Sequence, residues 1–544
     1  MSAAAQSVER LPLILFEDGH LLVINKPAGL NTHAPGPYAG EGIYDWLRHR
    51  EPRWACLAII HRLDKETSGV MVFSKSVLAN RSLTEQFSQR KVRKKYLLLT
   101  GQRPAKAHFA IESHLVRRGD QYVSSPPARG GERAVTRFTV LSTNQSGQTL
   151  VEAEPMTGRT HQVRVHAAES GVPILGDTLY GGIPWGRVCL HAQQLAFRHP
   201  ATGEEKVFTV PTSFPPDSRA LIRDALMDPA CTDAYRLAHG ASDTPGMKGW
   251  YVDRLGDFLL SGLEGDHRAY GSSLTQALEL WMRRYGLRGA YVKELKPRVR
   301  GVVPADASPQ PCLGQTAPER FLVCENGMRF ELSFQEGYSV GLFLDQRDNR
   351  RRFLVNHVAA GFPLFPDGPR SAEVLNTFAY TCGFSVCAAL AGARTTSLDL
   401  SRKYLEWGRR NFALNGLDPA AHDFIYGDVL DWLRRLAKKQ RAFDTVVLDP
   451  PTFSQSKEQG AFRAEKDYGK LVAAALPLVK PHGVLFAATN AAALKPEKFL
   501  QMVEEAVGRA CREIVQRHYV PQPLDFPITR NEPAYLKTVW LRLG

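Results

Sequence analysis

The chain has 544 residues, too many for one hydrophobic core, so three or four globular units are expected. Its 44% hydrophobic and 23% charged content is ordinary for a folded soluble protein, and no run of about 18 apolar residues is present to span a membrane. The formal net charge of +14 favours a polyanionic partner, because Lys and Arg that neutralise phosphates release counterions. Eight cysteines are scattered without a CxxC pair or a Cys/His cluster of metal spacing, so free thiols, a reducing compartment and no metal are expected. Met1 to Arg10 lacks a basic leader and Leu11 to Phe16 is too short for a signal core, which points to the cytoplasm.

From Ile14 the chain reads as strand, Asp18-Gly19 turn, strand (Leu21 to Ile24), then a loop through Lys26-Pro27-Ala28-Gly29. His61-Arg62-Leu63-Asp64-Lys65-Glu66-Thr67-Ser68-Gly69 follows, between Cys56–Ile60 and Val70–Phe73, which both read as short buried strands. Asp64 therefore sits on a loop between apolar elements, either in a plain loop ion pair or as a catalytic group held by a rigid scaffold. The basic run Arg90-Lys91-Val92-Arg93-Lys94-Lys95 leads into the strand Tyr96–Gly101. Such a run is a solvated face or a phosphate-binding strip, and an aromatic beside it suits a splayed-out RNA base. A third block, Thr157-Gly158-Arg159-Thr160-His161-Gln162-Val163-Arg164-Val165-His166, carries more arginine than a small strand needs unless it meets anions. With no carboxylate or Cys completing a metal set, His161, His166 and His191 read as hydrogen-bonded structural histidines.

The motifs His-Arg-Leu-Asp-x-x-Thr-Ser-Gly and Thr-Gly-Arg-Thr-His-Gln-x-Arg-x-His, with the Ile14–Leu30 opening, resemble the RluA-type pseudouridine synthases. The resemblance implies an α+β fold with a mixed antiparallel sheet over residues 1–215, needing no cofactor. It implies that Asp64 is catalytic, that Tyr96 lies against the target base and that Arg164 pairs with Asp64. Arg62, Arg93, Lys94, Lys95 and Arg159 are then the expected RNA contacts, and no room precedes Ile14 for an extra RNA-binding module.

Residues 216–229 read as a short helical linker that lets two halves fold independently. Residues 230–334 read as a small α+β module with one long helix, Ser272 to Tyr285. Lys293, Lys296, Arg298 and Arg300 follow on an exposed-looking stretch, with Lys296 and Arg298 as RNA contacts, and residues 305–318 read as irregular.

From residue 335 to 544 a βαβ rhythm begins a doubly wound sheet, whose ligand is expected at the carboxyl ends of its strands. The strand Glu373–Thr377 enters a turn at Gly383. The next ends at Asp399, a third is followed by Asp428, and a fourth ends in Asp449-Pro450-Pro451. An acid after the second strand can accept ribose hydroxyls, and the first turn lacks the glycine spacing of dinucleotide folds. A lone acid there is more often a helix cap, but three at successive strand ends are not caps alone. With Asp345-Gln346-Arg347 upstream, the set resembles the class I S-adenosylmethionine-dependent rRNA methyltransferases of the RlmI and RlmK kind, from Thr232 onward. The resemblance implies S-adenosylmethionine as cofactor. Asn376, Phe378 and Gly383 would line its methionine side, Asp399 would hold the ribose and Asp428 would face the adenine. Asp345 with Arg347 would close the pocket, and Asp449, Pro450 and Pro451 would border the target base.

Methylation of cytosine carbon-5 needs a Cys nucleophile, and no Cys occurs between Cys387 and Cys511, so a guanine nitrogen is favoured. The motif Asp449-Pro450-Pro451-Thr452-Phe453-Ser454 through Lys457 is also closer to guanine-N7 enzymes. The expected whole is a monomeric, bifunctional RNA-modifying enzyme acting on 23S rRNA, ahead of tRNA. Two alternatives stand beside it: a cytosine-C5 methyltransferase, or one half silent and retained to bind RNA.

Overall fold

The computed structural model describes residues 11–127, 130–215, 218–243, 248–264, 271–295, 308–336, 339–456 and 460–544. Lys296, Arg298, Arg300 and Lys457 lie outside the described residues. No helix among the described residues is long and apolar enough to cross a membrane.

The first body is built on an eleven-stranded mixed sheet. Its main path runs Ile14–Glu17, Leu21–Lys26, Ser68–Ser74, Leu190–Arg198, Arg93–Thr100, Thr149–Pro155, Glu132–Thr143, His108–Arg118, Gln121–Ser125. Pairing is antiparallel except where Ser68 and Gly69 meet His191 and Ala192 in parallel register. There the backbones approach so closely that a Cβ on Gly69 (φ +121°) would lie 2.2 Å from the Ala192 carbonyl oxygen, so only glycine fits. The strand expected before Asp64 shrinks to Ala58–Ile59. The arginine-bearing third block is a helix, Gln162–Glu169, and not a small strand. Gln162 through Ala167 are all buried, so no helical stripe shows, and the Val163/Val165 alternation imitates a strand.

The middle of the chain forms a five-stranded sheet, Ala234–His239, Trp250–Leu255, Phe258–Glu264, Gly289–Leu295 and Gln310–Gly314. Helix Gly271–Tyr285 supplies the crossover between its two parallel strands. Gln310–Gly314 is a strand within the stretch expected to be irregular, because its backbone completes the sheet edge against Gly289–Val292. A hairpin, Phe321–Glu325 with Met328–Leu332, leads onward.

The last body is a seven-stranded sheet in the order Asp423–Tyr426, Arg394–Asp399, Glu373–Thr377, Phe443–Leu448, Val479–Thr489, Lys537–Leu543, Ile514–Pro521. The first five strands are parallel and the last two antiparallel. Strand order reverses between Glu373–Thr377 and Phe443–Leu448, which is where a doubly wound sheet opens a crevice.

The two halves are not packed separately. Leu11, Trp46 and Met71 share one apolar cluster with Tyr235, Trp250 and Leu278, together with Ile222 and Leu226 of helix Ser218–Leu226. The residues expected to be a passive linker thus supply core side chains, and the Ala225 carbonyl accepts from the Leu13 amide at 3.2 Å. Leu226→Ala should cost about 2–5 kcal/mol as a core truncation. In calorimetry it should lower the unfolding of the first and middle bodies together, and a shift confined to one of two transitions would contradict the shared core.

Candidate active sites

Asp64 stands at the floor of a cleft of about 1320 Å³ that is also lined by Arg62, Tyr96, Arg159, His161 and Arg164. The loop carrying it is held from beneath by buried Lys26, whose Nζ donates to the carbonyls of Pro27 (3.0 Å), Leu30 (2.8 Å) and Lys65 (3.3 Å). Thr32 Oγ1 adds a bond to the Leu63 carbonyl at 2.9 Å. Burial brings the Lys26 ammonium down to about 7. Sequence reading missed it because a lysine three residues before the turn glycine Gly29 looks solvated.

Arg164 is placed by its helix with one edge toward Asp177 and the other toward the cleft. Its Nε and Nη2 donate to the two Asp177 oxygens at 2.7 Å each. Nη1 remains for Asp64 Oδ2 at 3.8 Å and Glu66 Oε2 at 3.6 Å. The tight fork is therefore with Asp177, and the expected pair with Asp64 is a longer one. His161 Nε2 lies 4.0 Å from Asp64 Oδ2 while its Nδ1 shares a hydrogen bond with Tyr180 Oη at 2.8 Å, so His161 belongs to the site. His166 and His191 are hydrogen-bonded within the fold, to Ser113 and Thr136 and to Ser68 and the Val210 carbonyl.

Burial raises the Asp64 carboxyl above its ordinary range, and Glu66 adds to this, while His161, Arg164 and Lys26 draw it down. Burial, then the charge of Asp64, raises the Tyr96 hydroxyl, so it is a neutral phenol at the cleft wall. The flanking cations are more engaged than a bare basic strip: Lys95 meets Glu152 at 3.0 Å, Arg93 meets Glu205 at 2.9 Å and Arg159 meets Glu132 at 2.6 Å. Lys94 is half-buried, donates to the Thr157 carbonyl at 3.2 Å and is lowered to about 8 by burial.

The second set of residues gathers at the carboxyl ends of the seven-stranded sheet. After strand Glu373–Thr377 the backbone turns through Phe378, Tyr380 and Cys382, all with positive φ (54°, 49°, 64°), into the helix that starts at Gly383. Left-handed residues this close together are costly without glycine and concentrate where a loop is shaped for a ligand. Asp399 fixes this loop, accepting from the Tyr380 amide through Oδ2 and from the Ser401 amide through Oδ1, each at 2.8 Å. Asn376 is buried and donates to Ser385 Oγ at 2.9 Å. Asp428 caps the helix Val429–Lys438, accepting from the Asp431 amide at 3.1 Å.

Asp449 is raised to about 7 by burial and by the charge of Asp345, against the pull of Arg350 and of Gln346 Nε2, which donates to it at 3.0 Å. Pro450 is buried and Pro451 exposed beyond it. Tyr468 Oη bonds the carbonyls of Leu448 (3.0 Å) and Ala488 (2.8 Å), which ties the two strand ends together, and Thr452 donates to Asn490 Oδ1 at 2.6 Å. Arg347, expected to close a pocket with Asp345, is instead committed to an interior pair with Asp525 at 2.9 and 2.5 Å. Asp345 accepts from Tyr535 Oη at 3.1 Å. A strand-end carboxylate, a second one after the next strand and a shaped loop over a helix start form a set of acceptors suited to the hydroxyls of a nucleoside cofactor.

A cationic cleft around an acid and a phenol, and a doubly wound sheet whose crevice is rimmed by acids, define an enzyme with two separate sites. Residues 20–169 match the RNA pseudouridylate synthase family, and residues 305–542 match the S-adenosylmethionine-dependent methyltransferases. The chain is 34% identical over 321 residues to a ribosomal RNA large subunit methyltransferase of Deinococcus radiodurans, covering 57% of this chain and 73% of that one. It is 32% identical over 318 residues to ribosomal RNA large subunit methyltransferase I of Klebsiella pneumoniae, covering 56% and 72%. A solved human structure, RNA pseudouridylate synthase domain containing 4, is 30% identical and covers 39% of this chain and 90% of that chain, with a TM-score of 0.31. The chain belongs to the S-adenosylmethionine-dependent ribosomal RNA large subunit methyltransferases, joined at its N-terminal side to an RNA pseudouridylate synthase.

Asp177 was not singled out from sequence, although it carries the tightest contact of Arg164. Asp177→Ala would leave the guanidinium buried with half its partners gone and should cost about 3–5 kcal/mol, the range for breaking a buried pair. Urea unfolding measures this, and a loss below 1 kcal/mol, roughly a surface ion pair, would show that Asp64 and Glu66 suffice.

Proposed function

We propose that the first body isomerises uridines of 23S rRNA to pseudouridine and that the last body methylates a guanine nitrogen of the same RNA class. We assign the units as residues 1–215 for the synthase, 216–229 for the connection, 230–334 for an RNA-binding module and 335–544 for the methyltransferase. In the synthase, the C1′–N1 bond of a flipped-out uridine breaks, the base turns to form a C1′–C5 bond, and the proton lost from carbon-5 is balanced by one gained at N1. Asp64 is the carboxylate that adds to the electron-deficient sugar or takes a ribose proton, and either route needs its anion. Arg164 and His161 hold that anion, and Tyr96 packs against the base. Arg62, Arg93, Lys94, Lys95 and Arg159 face the phosphates, with the acid partners of Arg93, Lys95 and Arg159 exchanged for RNA. The observation that carries this half is the convergence of Asp64, Tyr96, His161 and Arg164 on one cationic cleft.

In the methyltransferase, S-adenosylmethionine supplies an electrophilic methyl. Asp399 accepts its ribose hydroxyls, Asp428 sits toward the adenine, and Asn376, Phe378 and Gly383 shape the methionine side. Asp449, Pro450 and Pro451 border the target base. Two features support a nitrogen target over cytosine carbon-5. Burial pushes the Cys382 thiol up to about 12 and Cys387 higher still, so neither offers a thiolate. Asp449, near 7, is poised to accept or share a proton with a purine edge.

Asp64→Asn should abolish pseudouridine formation and leave methyl transfer intact, whereas Asp399→Ala should do the reverse. The latter should weaken S-adenosylmethionine binding by about 1.5–3 kcal/mol, the range for hydrogen bonds to a charged group. Tritium release from labelled uridine and calorimetric cofactor titration read the two, and wild-type turnover in Asp64→Asn sinks the assignment. Because the Asp64 carboxyl is raised, pseudouridine formation should fall on acidification at a pH above the ordinary carboxylate range of about 4. Glu66→Gln removes a charge that raises it, so the acid limb of the pH–rate profile should move to lower pH. A shift the other way would mean that Glu66 does not face Asp64.

A further inference from the structure

Outside both sites, three side chains from distant parts of the chain meet at the seam between the synthase body and the methyltransferase sheet. Glu41 precedes the helix Ile43–Arg50, His49 lies in that helix's last turn, and His518 lies on the edge strand Ile514–Pro521. Their ligand-capable atoms all fall within 4.8 Å of one another. His49 Nδ1 is 2.6 Å from Glu41 Oε1, and the His49 and His518 rings stand edge to face with centroids 4.4 Å apart. The Nε2 of His518 is buried and has no hydrogen-bond partner among the described residues.

A buried imidazole nitrogen without a partner is costly. A proton on His518 does not cure it, because burial, then the neighbouring His49, Arg352 and His357, hold its imidazole well below the usual range and therefore neutral. The surrounding cations have other work. Arg352 donates to the carbonyls of Val358 (3.3 Å) and Asp348 (2.8 Å), Arg50 meets Asp348 at 3.5 Å, and Arg351 pairs with Glu51. His357 Nε2 is hydrogen-bonded with the Arg48 carbonyl at 3.0 Å. A cavity of about 10 Å³ borders Glu41 and His49, on the scale of a single water-sized ligand.

We propose that Glu41, His49 and His518 form a binding site for one divalent transition-metal ion of the zinc class, which clamps the synthase to the methyltransferase. Two neutral imidazoles and one carboxylate are donors that suit zinc and its neighbours, whereas calcium and magnesium require mostly oxygen. Three protein ligands leave a fourth, tetrahedral position to a water. The ion takes the place of the hydrogen shared by His49 and Glu41, and that proton leaves to solvent on binding. No sequence motif announces the site, because its ligands come from two bodies and meet only in the fold.

The test uses the full-length chain stripped by a chelator and titrated with Zn²⁺ against a chromogenic competitor, then with Co²⁺ in a visible absorption experiment. One tight equivalent per chain is expected, with the intense visible bands of four-coordinate Co²⁺ and a rise in the thermal midpoint. Outer partners of metal ligands are worth about 10–100-fold in affinity, so losing a ligand in His518→Ala or His49→Ala should cost more than about 100-fold. Glu41→Gln keeps the shape of the residue if an alanine variant fails to fold, and it should cost at least about tenfold in affinity and reduce the thermal shift. Absence of a tight equivalent, or one that every folded variant retains undiminished, would overturn the proposal.

Discussion

Four arginines on one helix, Arg347–Val355, are taken almost wholly out of water, and the arrangement of the molecule follows from how each is paired. A buried guanidinium without a counter-charge is strongly destabilising, so Arg347, Arg350 and Arg351 each dictate where another segment must lie. Arg347 fixes the loop at Asp525. Arg350 fixes the hairpin at Glu325 (2.6 and 2.7 Å), and Arg351 reaches Glu51 of the synthase body. Between them, Asp348 accepts from Trp46 Nε1 at 3.0 Å and faces Arg50. One helix thereby holds the synthase, the middle hairpin and the methyltransferase sheet in a common frame.

The frame reaches the chemistry. Arg350 lies under the turn at Gly383, where a Cβ would come within 3.2 Å of its Cδ, and its charge acts on both Asp345 and Asp449. Gln346, next to Arg347, donates directly to Asp449. The acid at the proposed target-base site is therefore tuned by the same segment that locks the bodies together. On the other side Asp64 depends on a similar economy of charge: Arg164 is anchored by Asp177, and what remains of its guanidinium faces the cleft.

Much of this was legible in the sequence, and the parts that were not have physical causes. The doubly wound sheet, with its acids at successive strand ends, followed from apolar runs that stop at Asp399 and Asp449. The short strands of the synthase were legible from their Gly and Pro punctuation, and the mixed sheet only through the family resemblance. Helix Gln162–Glu169 was hidden because burial on every side erases its periodicity. The linker was misjudged because a short amphipathic helix with apolar Ile222 and Leu226 looks the same whether it bridges solvent or fills a seam. Arg347 was assigned to a pocket by the family resemblance, and nothing local in the sequence reveals that Asp525 awaits it. Asp177 and Lys26 share that difficulty: their partners are set by tertiary contact.

The central claim is that one chain carries two working sites with different chemistry on RNA bases. It is tested most directly by incubating unmodified large-subunit rRNA with the full-length chain and S-adenosylmethionine and digesting the product to nucleosides for mass spectrometry. The account predicts both pseudouridine and a methylated guanosine. The appearance of 5-methylcytidine in place of methylguanosine, or of only one modification, would contradict it.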